Sequence, residues 1–133
     1  MTDDDQLTPD EEHGAQVYDL YRRGSELLES GDFSAAAIPL EQARALEPEK
    51  SSIREALGRA YFRSGRYEKA RDEFAAVVEQ YPTNDFAHFC LGRAFALTGD
   101  RRLASKHLTL AAGLRPDRAD YREYRDRVRG DDD

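Results

Sequence analysis

LGRAYFRSGRYEKARDEF, residues 57–74, reads as strong helix-forming sequence, yet it carries Gly58 and Gly65 inside it. Glycine in a helix interior costs about 0.5–1 kcal/mol relative to alanine, so its presence needs a reason, and the reason is a period. A step of 34 residues from Gly58 reaches Gly24 in one direction and Gly92 in the other. Gly31, Gly65 and Gly99 share that frame, as do Ala36, Ala70 and Ala104, then Leu40, Phe74 and Leu108, then Pro48, Pro82 and Pro116. Several residue classes agreeing in one frame mark a stacked array of repeated units.

Each unit reads as two helices. Thr8-Pro9-Asp10-Glu11 supplies a capping residue, a proline at the first helical position and an acid three residues after the cap, so the first helix is expected from about Thr8 to Ser30. Ser52 and Glu55 suggest a second capping box, followed by Ile53, Ala56, Leu57, Ala60 and Tyr61 at helical spacing. Ala87, Cys90, Leu91, Ala94 and Phe95 repeat that pattern. Gly31, Gly65 and Gly99 are expected to close these helices in the left-handed conformation. Partner helices follow, carrying Ala36, Leu40, Ala43 and Leu46, then Ala70, Phe74, Val77 and Val78, then Ala104, Leu108, Ala111 and Ala112. Prolines 48, 82 and 116 mark their ends, and Pro39 is expected to bend its own helix locally. Gly24, Gly58 and Gly92 should let the two helices of each pair approach closely, facing Ala36, Ala70 and Ala104. After the third unit, Tyr121, Tyr124 and Val128 continue at helical spacing. They do not open a fourth, because Asp126 stands where the small residue is needed; a polar-faced helix closing the stack is expected.

The frame L-G-x-x-Y, G-x-Y-x-x-A, F, P is seen in Leu57, Gly58 and Tyr61, then Gly65, Tyr67 and Ala70, then Phe74 and Pro82. It resembles the tetratricopeptide repeat. The resemblance covers residues 17–118 as three repeats, 17–50, 51–84 and 85–118, and is looser in the first, where Arg23 replaces Leu57 and Leu91. It implies an all-α, right-handed superhelix (solenoid) of three antiparallel helical hairpins with a C-terminal capping helix over 117–129. The repeat domain would span 8–130, between a disordered acidic tail at 1–7 and an acidic tail at 131–133.

Charge and composition narrow the function classes. The chain of 133 residues has a formal net charge of −7, but residues 1–14 hold six acids and no Lys or Arg, and residues 131–133 hold three more. The stretch between carries 20 bases against 18 acids. Acidic ends of this kind solvate a chain, and a near-neutral body with three lysines argues against nucleic acid. No run approaches the ~18 apolar residues of a membrane span. The acidic N-terminus lacks the features of a secretory signal, so a cytoplasmic location is expected, and 17 arginines against three lysines suggest a bacterial source. No serine or cysteine sits in a nucleophile motif, and no phosphate-binding glycine loop is present. His13, His88 and His107 lack ligand spacing. No enzyme activity, metal or cofactor is expected, and His88 and Cys90 are read as packing residues.

The face left outside the core carries the functional reading. Ser52, Glu55, Arg59, Phe62 and Arg63 gather opposite the core stripe of their helix. Equivalent places hold Phe86, Phe89, Arg93 and Leu97 in the third repeat, and Tyr18, Tyr21 and Ser25 in the first. The resemblance implies that such positions line a concave groove for segments of other proteins. The groove residues expected here are Tyr18, Tyr21, Arg59, Phe62, Arg63, Phe86, Phe89 and Arg93. Alternatively, Arg59 pairs with Glu55 in a surface contact of little worth, and the aromatics pack against neighbouring helices or the N-terminal extension. The reading is a module binding a protein or peptide with acidic and apolar residues. A homo-oligomerising scaffold and a single-stranded nucleic-acid binder are the alternatives. Acids of the N-terminal extension, Asp10 to Glu12 among them, could occupy the groove. The clamp that binds heat-shock chaperone tails in one subgroup of the family has no match, because its places hold Tyr21, Ser25, Ala56, Phe86 and Cys90.

Overall fold

The computed structural model describes residues 6–130; the acidic stretches 1–5 and 131–133 lie outside the described residues. Seven helices follow in order among the described residues: α1 Pro9–Glu29, α2 Phe33–Leu46, α3 Ser51–Arg63, α4 Tyr67–Gln80, α5 Asp85–Leu97, α6 Arg101–Leu114 and α7 Ala119–Gly130. Each helix packs on the next in sequence, and α1 also touches α3. The hairpins α1–α2, α3–α4 and α5–α6 stack into a right-handed α-α superhelix that α7 caps.

The period in the sequence reappears as repeated backbone geometry. Gly31, Gly65 and Gly99 have φ of 85°, 82° and 93°, a left-handed conformation that costs glycine little. The residue after each, Asp32, Arg66 or Asp100, donates its N–H to the carbonyl five positions back, on Leu27, Tyr61 or Phe95, at 2.8–2.9 Å. This closing pattern satisfies carbonyls that the helix end would otherwise leave free. At the N-terminus Thr8 caps α1, its Oγ1 accepting from the Glu11 N–H at 3.1 Å.

One local expectation differs. The Ser52–Glu55 capping box does not form: Ser52 lies within α3, the cap position falls on Lys50, and Lys50 gives no side-chain cap bond. Glu55 instead accepts from Asn84 Nδ2 at 3.4 Å. Pro39 lies inside α2, which has the same 14 residues as α4 and α6, and its ring is buried.

Gly24, Gly58 and Gly92 do face the partner helices, but what meets them is not alanine. A Cβ on Gly24 would lie 2.5 Å from Leu40 Cγ, on Gly58 2.8 Å from Phe74 Cε2, and on Gly92 2.7 Å from Leu108 Cγ. The missing side chain is filled by a large apolar residue of the facing helix, so each glycine is the hole for a knob four residues beyond the alanine. Leu40, Phe74 and Leu108 are thereby fully buried, a gain of about 1.5–3 kcal/mol each that outweighs the glycine propensity cost.

The loops between hairpins are tied in register as well. Arg54 Nε donates to the Pro48 carbonyl at 2.7 Å, His88 Nε2 to the Pro82 carbonyl at 2.7 Å, and an Arg122 guanidinium nitrogen to the Pro116 carbonyl. His88 therefore occupies a periodic latch position. With Nε2 donating, its Nδ1 is an acceptor, and it meets His107 Nδ1 at 3.0 Å. His107 is stacked between His88 and Phe95, with centroids 5.3 and 5.7 Å away.

That stack carries a pH dependence. Burial, with the adjoining His88 and Lys106, pushes His107 down to about 4, below the ordinary histidine value near 6.5. The folded protein thus prefers neutral His107. Its stabilisation is complete above pH ~6.5 and is lost as pH falls toward 4. The thermal midpoint should drop by a few degrees between pH 7 and pH 5, and His107→Gln should flatten that slope. An equal slope in both proteins would remove His107 as its source.

A second buried polar group joins three helices. Glu73 on α4, only 2% exposed, accepts from Arg44 on α2 and, at 3.0 Å, from Arg54 on α3. The Tyr61 hydroxyl donates to Glu41 at 2.7 Å, and burial pushes the phenol up to about 12.

Candidate functional site

Between α3 and α5, against the α1–α2 turn, the chain forms a cavity of about 430 Å³. Arg59, Phe62 and Arg63 reach it from α3, and Phe86, Phe89, Cys90 and Arg93 from α5. Leu28, Glu29, Ser30, Gly31 and Phe33 close it at the α1–α2 turn, and Phe74 forms part of its wall. Six of the eight expected groove residues therefore meet in one cavity. Tyr18 and Tyr21 do not join them; they line a separate hollow with Gly14, Val17, Glu47, Lys50, Ser52 and Ile53. Tyr18 is 64% exposed, whereas Tyr21 packs partly buried against the core.

The aromatics are neither swallowed nor idle. Phe62 sets its ring edge-on to Tyr67 at 5.2 Å, and Phe86 does the same to Phe74 at 6.4 Å. Phe89 stacks on Tyr121 of α7 at 4.5 Å and meets the edge of Tyr124 at 5.8 Å. All three phenylalanines stay partly exposed. Tyr121 is fully buried and donates its hydroxyl to Asp85 at 2.7 Å, which pins α7 to α5.

Three cations share the cavity, and each is held differently. Arg59 is exposed and does not pair with Glu55. Arg63 lies over the Phe33 ring at 4.4 Å. Arg93 is the most enclosed, with its guanidinium over Phe62 at 4.6 Å, Tyr124 at 5.1 Å and Phe89 at 5.6 Å. Its Nε is buried without a hydrogen-bond partner. Among the described residues none of the three forms an ion pair, although Glu29 lies at the cavity edge. Cys90 is buried beside them, and burial pushes its thiol up to about 12, so at neutral pH it is a protonated wall residue.

Asp10, Glu11 and Glu12 form the exposed first turn of α1, while the cavity adjoins the opposite end of that helix. At 1.5 Å per residue they stand roughly 25 Å away along α1, so they do not screen the arginines of their own chain. Tyr124 does not line the cavity but backs Arg93, a contact that periodicity missed. It lies on a helix outside the repeat frame, and only the docking of α7 brings it to Arg93. Among the described residues no three His, Cys, Asp or Glu side chains stand close enough to hold a metal, and no helix is long and apolar enough to cross a membrane.

Residues 21–85 match the family model described as tetratricopeptide repeat. No curated protein matches the chain. Among solved structures, the C-terminal tetratricopeptide-containing domain of a Plasmodium falciparum putative FK506-binding protein is 21% identical, with a TM-score of 0.84 over 95% of this chain and 93% of that one. The first such domain of Spaghetti (RPAP3), solved bound to an HSP90 peptide, is 16% identical, with a TM-score of 0.81 over 87% of this chain and 92% of that one. The Yersinia enterocolitica type III secretion chaperone SycD, solved with a peptide of the translocator YopD, is 19% identical, with a TM-score of 0.71 over 86% and 87%. At these identities the likeness is one of fold.

Proposed function

Because residues 21–85 match the tetratricopeptide repeat model and the fold is that of such proteins, we propose that the chain is a non-catalytic adaptor or assembly module that binds a partner peptide or helix in the cavity between α3 and α5. The observation that carries this reading is the set Arg59, Arg63 and Arg93, three cations without ion pairs among the described residues, set among partly exposed phenylalanines. Planar guanidinium groups suit carboxylates, and the aromatic walls suit an apolar neighbour. The ligand is therefore a segment with acidic and apolar side chains. The fold neighbours solved with peptides agree in kind, binding an HSP90 peptide in one case and a YopD peptide in another. The heat-shock chaperone tail is not the ligand proposed here, because Phe86 and Cys90 offer an apolar wall where a clamp needs cations. The setting proposed is a bacterial cytoplasm, without membrane or nucleic-acid partners.

Affinity capture from the native host lysate tests it. The wild-type chain should retain a specific partner, and Arg59→Ala with Arg93→Ala should lose it while the circular dichroism spectrum stays unchanged. Capture that survives the double substitution would remove the cavity as the site. Self-association is the second reading, favoured by Tyr18 and Ile38, which are 64% and 61% exposed. Sedimentation of the purified chain separates the two, since a monomer leaves only the heterologous partner.

A further inference from the structure

Arg93 poses a problem that a peptide groove in general does not answer. Its Nε has given up water and gained no acceptor, and an enclosed cation without an anion is unfavourable. The faces of Phe62, Phe89 and Tyr124 offset part of that. They also fix the guanidinium, since Phe89 is itself held by Tyr121, whose hydroxyl is bonded to Asp85. A flat cation already immobilised beside an open cavity loses little further freedom when it receives a flat anion.

We infer that the Arg93 cage is the anion subsite of the cavity, that it takes one carboxylate carried next to an aromatic or aliphatic group, and that Tyr124, behind the Arg93 guanidinium, makes the terminal helix α7 part of that subsite. The inference rests on the peptide-binding reading and adds two things to it. The ligand's charge has a single centre in Arg93, with Arg59 and Arg63 outside the cage. The docking of α7 and the occupancy of the cavity are coupled, because the same tyrosine serves both. Each should strengthen the other to the same extent.

The side-chain Nε–Hε resonance of Arg93, assigned by its loss in Arg93→Lys, reports on the subsite directly. The full-length protein is titrated with N-acetylphenylalanine, with its neutral amide, and with the amide of N-acetylphenylalanyl-glutamate. The two acids should shift the Arg93 resonance and the backbone amides of α7, and the neutral amide should not. Comparison of the acids tells a chain-terminal carboxylate from a side-chain one. Tyr124→Leu should weaken binding of the acids about fivefold, and Tyr124→Phe should preserve it, with helix content checked in both. A neutral amide as effective as the acids, or inorganic phosphate moving Arg93 as strongly, would overturn the carboxylate assignment. Unchanged affinity in Tyr124→Leu would remove α7 from the site. Partner capture that depends on Arg59 and Arg93, with no response to either acid, would sink the subsite and leave the cavity reading intact. A response to the acids without partner capture would do the reverse.

Discussion

Gly58→Leu is expected to lower the unfolding free energy by about 3 kcal/mol, a drop of roughly 10 °C in the thermal midpoint for a chain of this size. Helix propensity alone points the other way, because leucine is favoured over glycine by nearly 1 kcal/mol. Sterics decide the sign. The first added carbon would already lie 2.8 Å from the Phe74 ring, and Phe74 is fully buried and edge-on to Phe86, so it can yield only by breaking that ring contact and moving the cavity wall. A paired variant isolates the cause: Gly58→Leu with Phe74→Ala should cost less than the sum of the two single changes, because the knob and the filled hole no longer collide. An unchanged melting curve for the single variant would contradict this packing. Gly92 should be the least forgiving of the three, because its added carbon would also meet the Leu108 backbone nitrogen at 3.1 Å.

Replacing Arg44 and Arg54 together by methionine should cost about 3–5 kcal/mol, the usual penalty for stranding a buried charge. Glu73 would remain at the junction of α2, α3 and α4 with its carboxylate unpaired. The converse change should be milder. The side chains of Arg44 and Arg54 are 34% and 25% exposed, so in Glu73→Leu both can turn toward water, and the new apolar side chain suits its surroundings. Urea unfolding of the two variants gives the order directly. If Glu73→Leu proves the more damaging, the triad contributes attraction beyond what desolvation removes, and the asymmetry argued here is wrong.

The parts of this molecule legible in its sequence are those governed by the period. Gly31, Gly65 and Gly99 could be read as left-handed helix ends because glycine recurred where a turn was due, and each carries that conformation. The hairpin partners followed from the same frame. Contacts that join different helices at irregular separations were not legible. Arg44, Arg54 and Glu73 stand in no motif, and only the stacking of three helices brings them together. Tyr18 and Tyr21 hold the same register as residues of the cavity, yet they line another hollow. Register fixes the face of a helix and not the depth at which neighbouring side chains close over it. Ser52 failed as a cap because the chain enters α3 earlier, at Ser51, and a local pattern cannot set that boundary. His88 carried a signal that was available, since it shares the frame of Arg54 and Arg122, but its chemistry differs from theirs and hid the common role.

The latches from Arg54, His88 and Arg122 to the preceding proline carbonyls have an evolutionary corollary. Each fastening involves residues only six positions apart, so any in-frame copy of one 34-residue segment arrives with its own seam complete. Gene duplication could then lengthen the array without inventing a new junction, and three donors of two chemical kinds at one position are what drift would leave behind once a copied unit needs only some donor there.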